Sequence, residues 1–329
     1  MKSNSELRHI LKAYTDDILI PSDFHDKLAP AITGLSQLLF DSVEINSHDE
    51  SLREHHTTES GNAIGPLWAA LCSREVLRTQ RFLKGLYQAI NTCLKERQTP
   101  VHILYAGTGP FATLAIPVMS QFLPEEIQFT LLEINPISFE KMQNCIAQFG
   151  FESYVRAYHC CDASTWKTED RQVDILISET MHNGLYREPQ VSIMLNLLSQ
   201  LPSDCICIPQ QICVDLVARE NLSKTGETIS SLMSFDRTYI DQVLQKSSSS
   251  VWQFANTAVQ IPENPKLRFY LDTTIQVYED QYLRLNDCSL NILRKFNVPE
   301  VYRGQKIKNS ISGKSASLFP DQRGLIKSF

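Results

Sequence analysis

VHILYAGTGPFATLA, residues 101–115, is the stretch on which the fold turns. A short apolar run, VHILY, feeds straight into Gly107-Thr108-Gly109-Pro110-Phe111, and a helix-like segment follows over 112–122, interrupted by Pro117. Glycines at such a point let the backbone turn sharply and approach a ligand without Cβ obstruction. The helix after them would aim its positive end at that ligand. By itself a Gly-x-Gly turn is equally the tight strand-to-helix connection of any such unit.

Outward from this turn the texture repeats. IQFTLLE (127–133), YVRAYHC (154–160), VDILIS (173–178), CICI (205–208) and ICVDLV (212–217) alternate with helix-like segments. Strands alternating with helices imply βαβ units and a parallel sheet. Before residue 98 the chain reads as helical. Leu83, Leu86, Tyr87, Ile90 and Leu94 fall at helical spacing along one face, while the polar stretch 46–66 reads as a mobile loop. Beyond about residue 220 the alternation loosens, and the serines at 247–250 read as a surface turn. LRFYLDTTIQVYEDQYLRL (267–285) is rich in β-branched and aromatic residues and reads as a hairpin. The expected fold is α/β: a Rossmann-like, doubly wound parallel sheet with an N-terminal helical segment and a C-terminal β-rich unit. The expected boundaries are 1–98 for helices completing a cofactor site, 99–220 for the Rossmann-like domain, and 221–329 for a β-rich substrate and dimerisation domain.

Composition narrows the function. A net charge of −6 does not suit a protein that coats nucleic acid. The charge is uneven, since residues 291–329 carry eight Lys/Arg against Glu300 and Asp321. That basic stretch reads as a solvated surface or as an attractor of an anionic partner. The nine cysteines are scattered and form no CxxC, so neither a zinc site nor a disulfide framework is expected, and no metal. With no signal-peptide pattern and no bilayer-length apolar run, a soluble, cytoplasmic protein with no membrane contact is the expectation.

Glu133 closes the second strand of the series, and Asn135-Pro136 follows it. An acid there binds ribose hydroxyls, which suits NAD and S-adenosylmethionine alike. The turn is GxGPF rather than GxGxxG, and Asp162 follows the third strand, where an acid commonly meets an adenine amino group. Both details favour the methyl donor. Asp162 on its own is as readily a turn residue or helix cap.

The fourth strand runs into SETMHNGLYREP, residues 178–189, which places Glu179 and Glu188 nine residues apart. Two solvated loop acids are the ordinary reading of such a pair. Ligands of open α/β sheets, however, bind outside the carboxyl ends of the strands, where Glu179 lies.

YAGTGPFATLA, LLEINP, CDAS and DILISE together are similar to class I S-adenosylmethionine-dependent methyltransferases. SETMHNGLYRE then resembles the double-glutamate loop of the protein arginine methyltransferases: Ser178, Glu179, Met181 and Glu188 match, and His182-Asn183 replaces Gly-Tyr. EVLRTQRF matches that family's N-terminal helix motif through Glu75, Arg78, Thr79 and Phe82, with Glu for Asp and Phe for Tyr. The family's Thr-His-Trp loop has no counterpart in the second half; Ser-Thr-Trp at 164–166 lies in the wrong region.

The resemblance, over roughly residues 70–215, implies an S-adenosylmethionine-dependent N-methyltransferase releasing S-adenosyl-L-homocysteine. Glu179 and Glu188 would be catalytic. Arg78, otherwise a helix-surface charge, would pair with the cofactor's carboxylate, and Gly107, Gly109, Glu133 and Asp162 would complete its site. Met181, His182 and Tyr186 are expected on the substrate side, with His182 also readable as a base or as a plain loop residue. Two carboxylates suit a guanidinium, whose positive charge is spread over three nitrogens.

The altered loop and the missing Thr-His-Trp favour a small guanidino molecule, such as arginine or a derivative, over a protein. A basic peptide or a phosphate-bearing metabolite is the alternative acceptor. A non-catalytic methyltransferase-like subunit and a nicotinamide-dependent oxidoreductase are the competing classes. A homodimer is expected from the resemblance alone.

Overall fold

The computed structural model describes residues 3–313 except 44, 46–48, 97–99, 187, 222–224, 248–251, 256, 299, 310 and 311. Three serines of the 247–250 turn, and Lys314, Asp321, Arg323 and Lys327 of the basic stretch, therefore lie outside the described residues.

The N-terminal part is helical. Helices α1 (Asn4–Ile18) and α2 (Leu28–Val43) precede a small antiparallel hairpin, β1 (His56–Thr58) with β2 (Gly61–Ala63). Short α3 (Pro66–Cys72) and long α4 (Val76–Glu96) follow. The stretch expected as a loop thus holds a hairpin whose Thr58 hydroxyl bonds the Gly61 carbonyl at 2.9 Å. Helix α4 buries Phe82, Leu83, Leu86, Ala89, Ile90 and Cys93, and half-buries Tyr87 and Leu94.

The parallel sheet comes next. Strand β3 (Val101–Ala106) leads through the glycine turn to α5 (Ala115–Met119); β4 (Ile127–Glu133), α6 (Pro136–Phe149), β5 (Val155–Cys160), β6 (Ile175–Ser178), α7 (Gln190–Leu198) and β7 (Ile206–Ile208) complete it. The strand order is β5-β4-β3-β6-β7, and every pairing is parallel. The central strands β3 and β6 are buried at every residue, as strands covered on both faces must be. The order reverses direction between β3 and β6, which opens a crevice at their C-terminal ends.

Two expectations change here. The helix expected over 112–122 is only five residues long. Pro117 lacks an N–H and is tolerated only in a helix's first turn, so α5 starts late. The chain before it makes a 3-10 turn at Gly109–Phe111 and a left-handed Ala112 at φ 46°. ICVDLV, expected as one more strand of the alternating series, lies instead in β8 (Gln211–Arg219) of a separate antiparallel sheet. Only Pro209 and Gln210 separate β7 from β8, too few for a parallel crossover of a dozen residues or so.

Strand β8 pairs with β9 (Glu227–Asp236), which is followed by α8 (Arg237–Lys246), β10 (Trp252–Gln253) and β11 (Thr257–Gln260). It also pairs in full register with β12 (Arg268–Tyr278), which folds back on β13 (Gln281–Leu283) as the expected hairpin. Strand β14 (Arg294–Phe296) lies along the far part of β12. Strands β15 (Lys306–Asn309) and β16 (Ser312–Gly313) pair with β11 and β10. Burial along β12 alternates, so one face joins the core. Helix α4 packs against both sheets and joins the two units. No helix among the described residues is long and apolar enough to cross a membrane.

Gly107 shows how tightly the crevice is built. Its φ is +78°, and a Cβ there would lie 2.2 Å from Thr180 Cγ2. Thr180 cannot yield freely, because its N–H and hydroxyl bond Gln190 Oε1 at 2.9 and 3.0 Å. Gly107→Ala is therefore expected to destabilise the protein by about 2 kcal/mol or more, from backbone strain and overpacking together. Denaturant unfolding checks this; an unchanged midpoint would contradict the geometry.

Candidate active site

A cavity of about 1060 Å³, counted out to its open mouth, occupies the crevice at the ends of β3, β4 and β6. The hairpin β1–β2, helix α3 and the first turns of α4 form its other walls, through Asn62, Ala69, Cys72 and Arg78 among others. Arg78, Gly107, Gly109, Glu133, Asp162, Glu179 and Glu188 all line it. Seven positions spread over 110 residues of chain are brought to one space by the sheet topology.

Glu133 ends β4 pointing back across the turn. One carboxylate oxygen accepts the Gly109 N–H at 2.8 Å, and the other accepts the Asn135 N–H at 2.9 Å. Burial pushes its carboxyl up, while those backbone donors pull it down. Asn135 in turn caps α6 by accepting from the Ile137 and Ser138 N–H groups. Asp162 accepts from the Ser164 N–H and hydroxyl at 2.8 and 2.7 Å. The Ser164 hydroxyl also meets the Ser60 hydroxyl at 2.8 Å, which ties the tip of the β1–β2 hairpin across the cavity.

The most concentrated charge lies around Arg78. Its Nε donates to Glu179 Oε2 at 3.1 Å, and Nη2 bonds the same oxygen. Nη1 donates to Glu75 Oε1 at 3.0 Å. Arg78 and Glu179 expose only 10% and 11% of their side chains, so this is a buried ion pair. Burial opposes the guanidinium charge, but Glu179, Cys72 and Glu75 together more than offset that, and Arg78 stays charged. Burial likewise pushes the Glu179 carboxyl up, against the pull of Arg78. Glu75 reaches further, accepting from the Ser289 N–H and hydroxyl at 2.7 Å each. Ser289 precedes the loop's turn into β14 and lies 214 residues away in the chain, with no local signal in the sequence to link the two.

Both glutamates of the loop have unused acceptor capacity. Glu179 Oε1 is buried with no hydrogen-bond partner among the described residues. The Glu188 carboxylate bonds no described residue, and burial, reinforced by Glu179, pushes it up to about 8. Met181, His182 and Tyr186 do not line the cavity. Met181 is buried in the core, His182 is exposed, and Tyr186 lies beneath Arg294, whose Cζ is 3.5 Å from the ring centroid. Among the described residues, the loop leaves the cavity after Thr180 and returns at Glu188.

No family model matches this sequence, and no curated protein matches it. Among solved structures, the chain is similar to the Trypanosoma brucei PRMT1 enzyme-prozyme heterotetrameric complex with AdoHcy. The two share 12% identity over 72% of this chain and 81% of that chain, with a TM-score of 0.42.

The raised Glu188 carboxyl has a measurable consequence. Below pH 4.5 both folded and unfolded chains hold this proton; between 4.5 and about 8 only the folded chain does. Folding therefore binds a proton in that window, and the stability contribution falls as pH rises through it. Glu188→Gln removes the titration. Its melting temperature relative to wild type is expected to rise steadily from pH 5 to pH 8.5 in the ligand-free protein. A pH-independent difference would contradict the burial of Glu188.

Proposed function

We propose that this chain is an S-adenosylmethionine-dependent N-methyltransferase whose acceptor is a guanidino-type nitrogen of a small molecule such as arginine or a derivative. The observation that carries the reading is the pair of carboxylates. Glu179 and Glu188 face one cavity, with Glu179 Oε1 and the Glu188 carboxylate bonded to no described residue, at the ligand edge of a parallel sheet, next to a charged arginine.

The residues present fit the cofactor. A Cβ at Gly109 would meet only Ala69, at 3.5 Å, so the turn leaves its backbone open to a ligand. Arg78 uses three of its five N–H donors on Glu75 and Glu179, which leaves two for the carboxylate of the methionine portion. Glu133 would hold the ribose hydroxyls and Asp162 the adenine amino group. When bound, S-adenosylmethionine supplies a methyl group already activated on its sulfonium and leaves as S-adenosyl-L-homocysteine.

The chain's own part is to present the acceptor. Glu179 Oε1 and the Glu188 carboxylate would accept N–H bonds from a guanidinium, and these charge-assisted bonds are the strong kind. A bound guanidinium favours the ionised form of Glu188, and the two negative charges then draw the delocalised positive charge toward the nitrogens they hold. The lone pair on the acceptor nitrogen becomes more available as a result. That nitrogen must also lose one proton. Glu188, lifted by its surroundings to about 8, is suited to take it. Arg78 aims Glu179 and pulls against the rise that burial gives its carboxyl, so the two acids differ in role. A small acceptor is favoured by His182-Asn183 in place of Gly-Tyr and by the lack of a Thr-His-Trp loop. A basic peptide, which the net charge of −6 would attract, is the alternative.

Labelled methyl transfer to free arginine, guanidino metabolites, nucleotides and an arginine-rich peptide tests the reading. Glu179→Gln and Glu188→Gln are each expected to lower turnover by about 100-fold or more, with cofactor affinity held within a few-fold. Arg78→Ala is expected to weaken cofactor binding instead. Calorimetry with S-adenosyl-L-homocysteine decides the first half: an absence of binding would sink the enzyme reading. Methylation of the peptide alone would move the acceptor to the alternative.

A further inference from the structure

Only the ends of the double-glutamate loop line the cavity; its middle is seated on the antiparallel unit. Asn183 Nδ2 donates to the Ile292 carbonyl at 2.9 Å, and the Gly184 N–H donates to Thr273 Oγ1 at 2.8 Å. Arg294 Nη1 donates to Asn183 Oδ1 at 3.3 Å while its guanidinium lies over the Tyr186 ring. These partners are 89 to 111 residues distant in sequence.

The backbone between them is strained. Gly184 and Leu185 are left-handed in succession, at φ 68° and 53°, and Leu185 is buried. A Cβ at Gly184 would meet Leu271 Cδ1 at 3.1 Å, so the loop presses closely on β12. A leucine does not hold such a conformation by local preference; the docking surface holds it there.

We propose that Asn183, Thr273 and Arg294 are positioning residues that hold Glu188 beside Glu179, so that the antiparallel unit sets the spacing of the two carboxylates. The role in catalysis rests on the guanidino reading of that pair. Glu179 is anchored from the helical side, through Arg78 on α4. The Glu188 carboxylate bonds no described residue; its place depends on the clasp of Gln190 with Thr180 behind it and on how the loop that carries it is seated. The charged and titratable groups that bear on Glu188 are Glu179 and Arg78, with Cys72 of α3 beside them. None of the three belongs to the elements that seat the loop. Unseating it would let Glu188 move to water, and the pair would no longer span a planar cation.

The experiment follows Glu188 directly, by carbon-13 titration of its carboxyl in the full chain, assigned by its loss in Glu188→Gln. Asn183→Ala and Thr273→Val are expected to lower its midpoint from about 8 toward the ordinary carboxyl value, by about one unit or more. Thr273→Ser keeps the hydroxyl and is expected to keep the midpoint. With a guanidino acceptor, the two loosening variants should lose about tenfold or more in kcat, with cofactor affinity held within about twofold. A lower melting temperature with the Glu188 midpoint unmoved in both variants overturns the proposal. If the midpoint moves while the wild-type chain methylates no guanidino acceptor, the positioning stands and the acceptor reading fails.

Discussion

The buried ion pair between Arg78 and Glu179 is the constraint around which the site is organised. It fastens the start of α4 to the end of β6, two elements 101 residues apart in the chain. Burying two charges is costly, and the pair is held only because the geometry is good and Glu75 takes up the third guanidinium nitrogen. Removing either partner would leave an uncompensated charge, a loss of about 3–5 kcal/mol in comparable buried pairs. Hydrophobic residues of similar volume would satisfy stability as well or better. A buried pair with one carboxylate oxygen that no described residue bonds is what the proposed binding role calls for.

That pair is the inner end of a chain of contacts through the whole molecule. Glu75 carries it to Ser289 on the antiparallel unit, and Glu179 carries it into the double-glutamate loop. The loop then seats its middle on β12 and β14. Helix α4 lies between the two sheets and contributes both the arginine and the packing that fixes their contact. The charge cluster is thus held from three regions of chain, the helical segment, the parallel sheet and the antiparallel unit. Glu188, whose carboxyl burial and Glu179 push up to about 8, is the one held least directly.

Much of this frame was legible along the chain. Apolar runs such as VHILY and IQFTLLE became central strands, because strands covered on both faces must be apolar throughout. The hairpin over 267–285 followed from its β-branched and aromatic content. The failures were those of local reasoning. ICVDLV has the same composition as a parallel strand, and only the two-residue connection before it decides otherwise. Pro117 was visible as an interruption, but its effect, a five-residue helix preceded by a left-handed Ala112, depends on how the turn packs. Met181, His182 and Tyr186 were read as substrate residues from their place beside the glutamates. Nothing in their spacing reveals that the loop leaves the cavity after Thr180 and seats its middle on the antiparallel unit.

The sequence by itself determined the strand-turn-helix unit at Gly107, the alternation that makes a parallel sheet, and the candidate residues at its ligand edge. These follow from periodicity, from glycine's freedom at positive φ and from the rule that open sheets bind ligands at their strand ends. Only the tertiary structure decided that Arg78 holds Glu179, that Ser289 holds Glu75, and that β12 and β14 seat the loop bearing Glu188. The physical reason is that such contacts join groups 89 to 214 residues apart, and their energy depends on burial and orientation that no local pattern encodes.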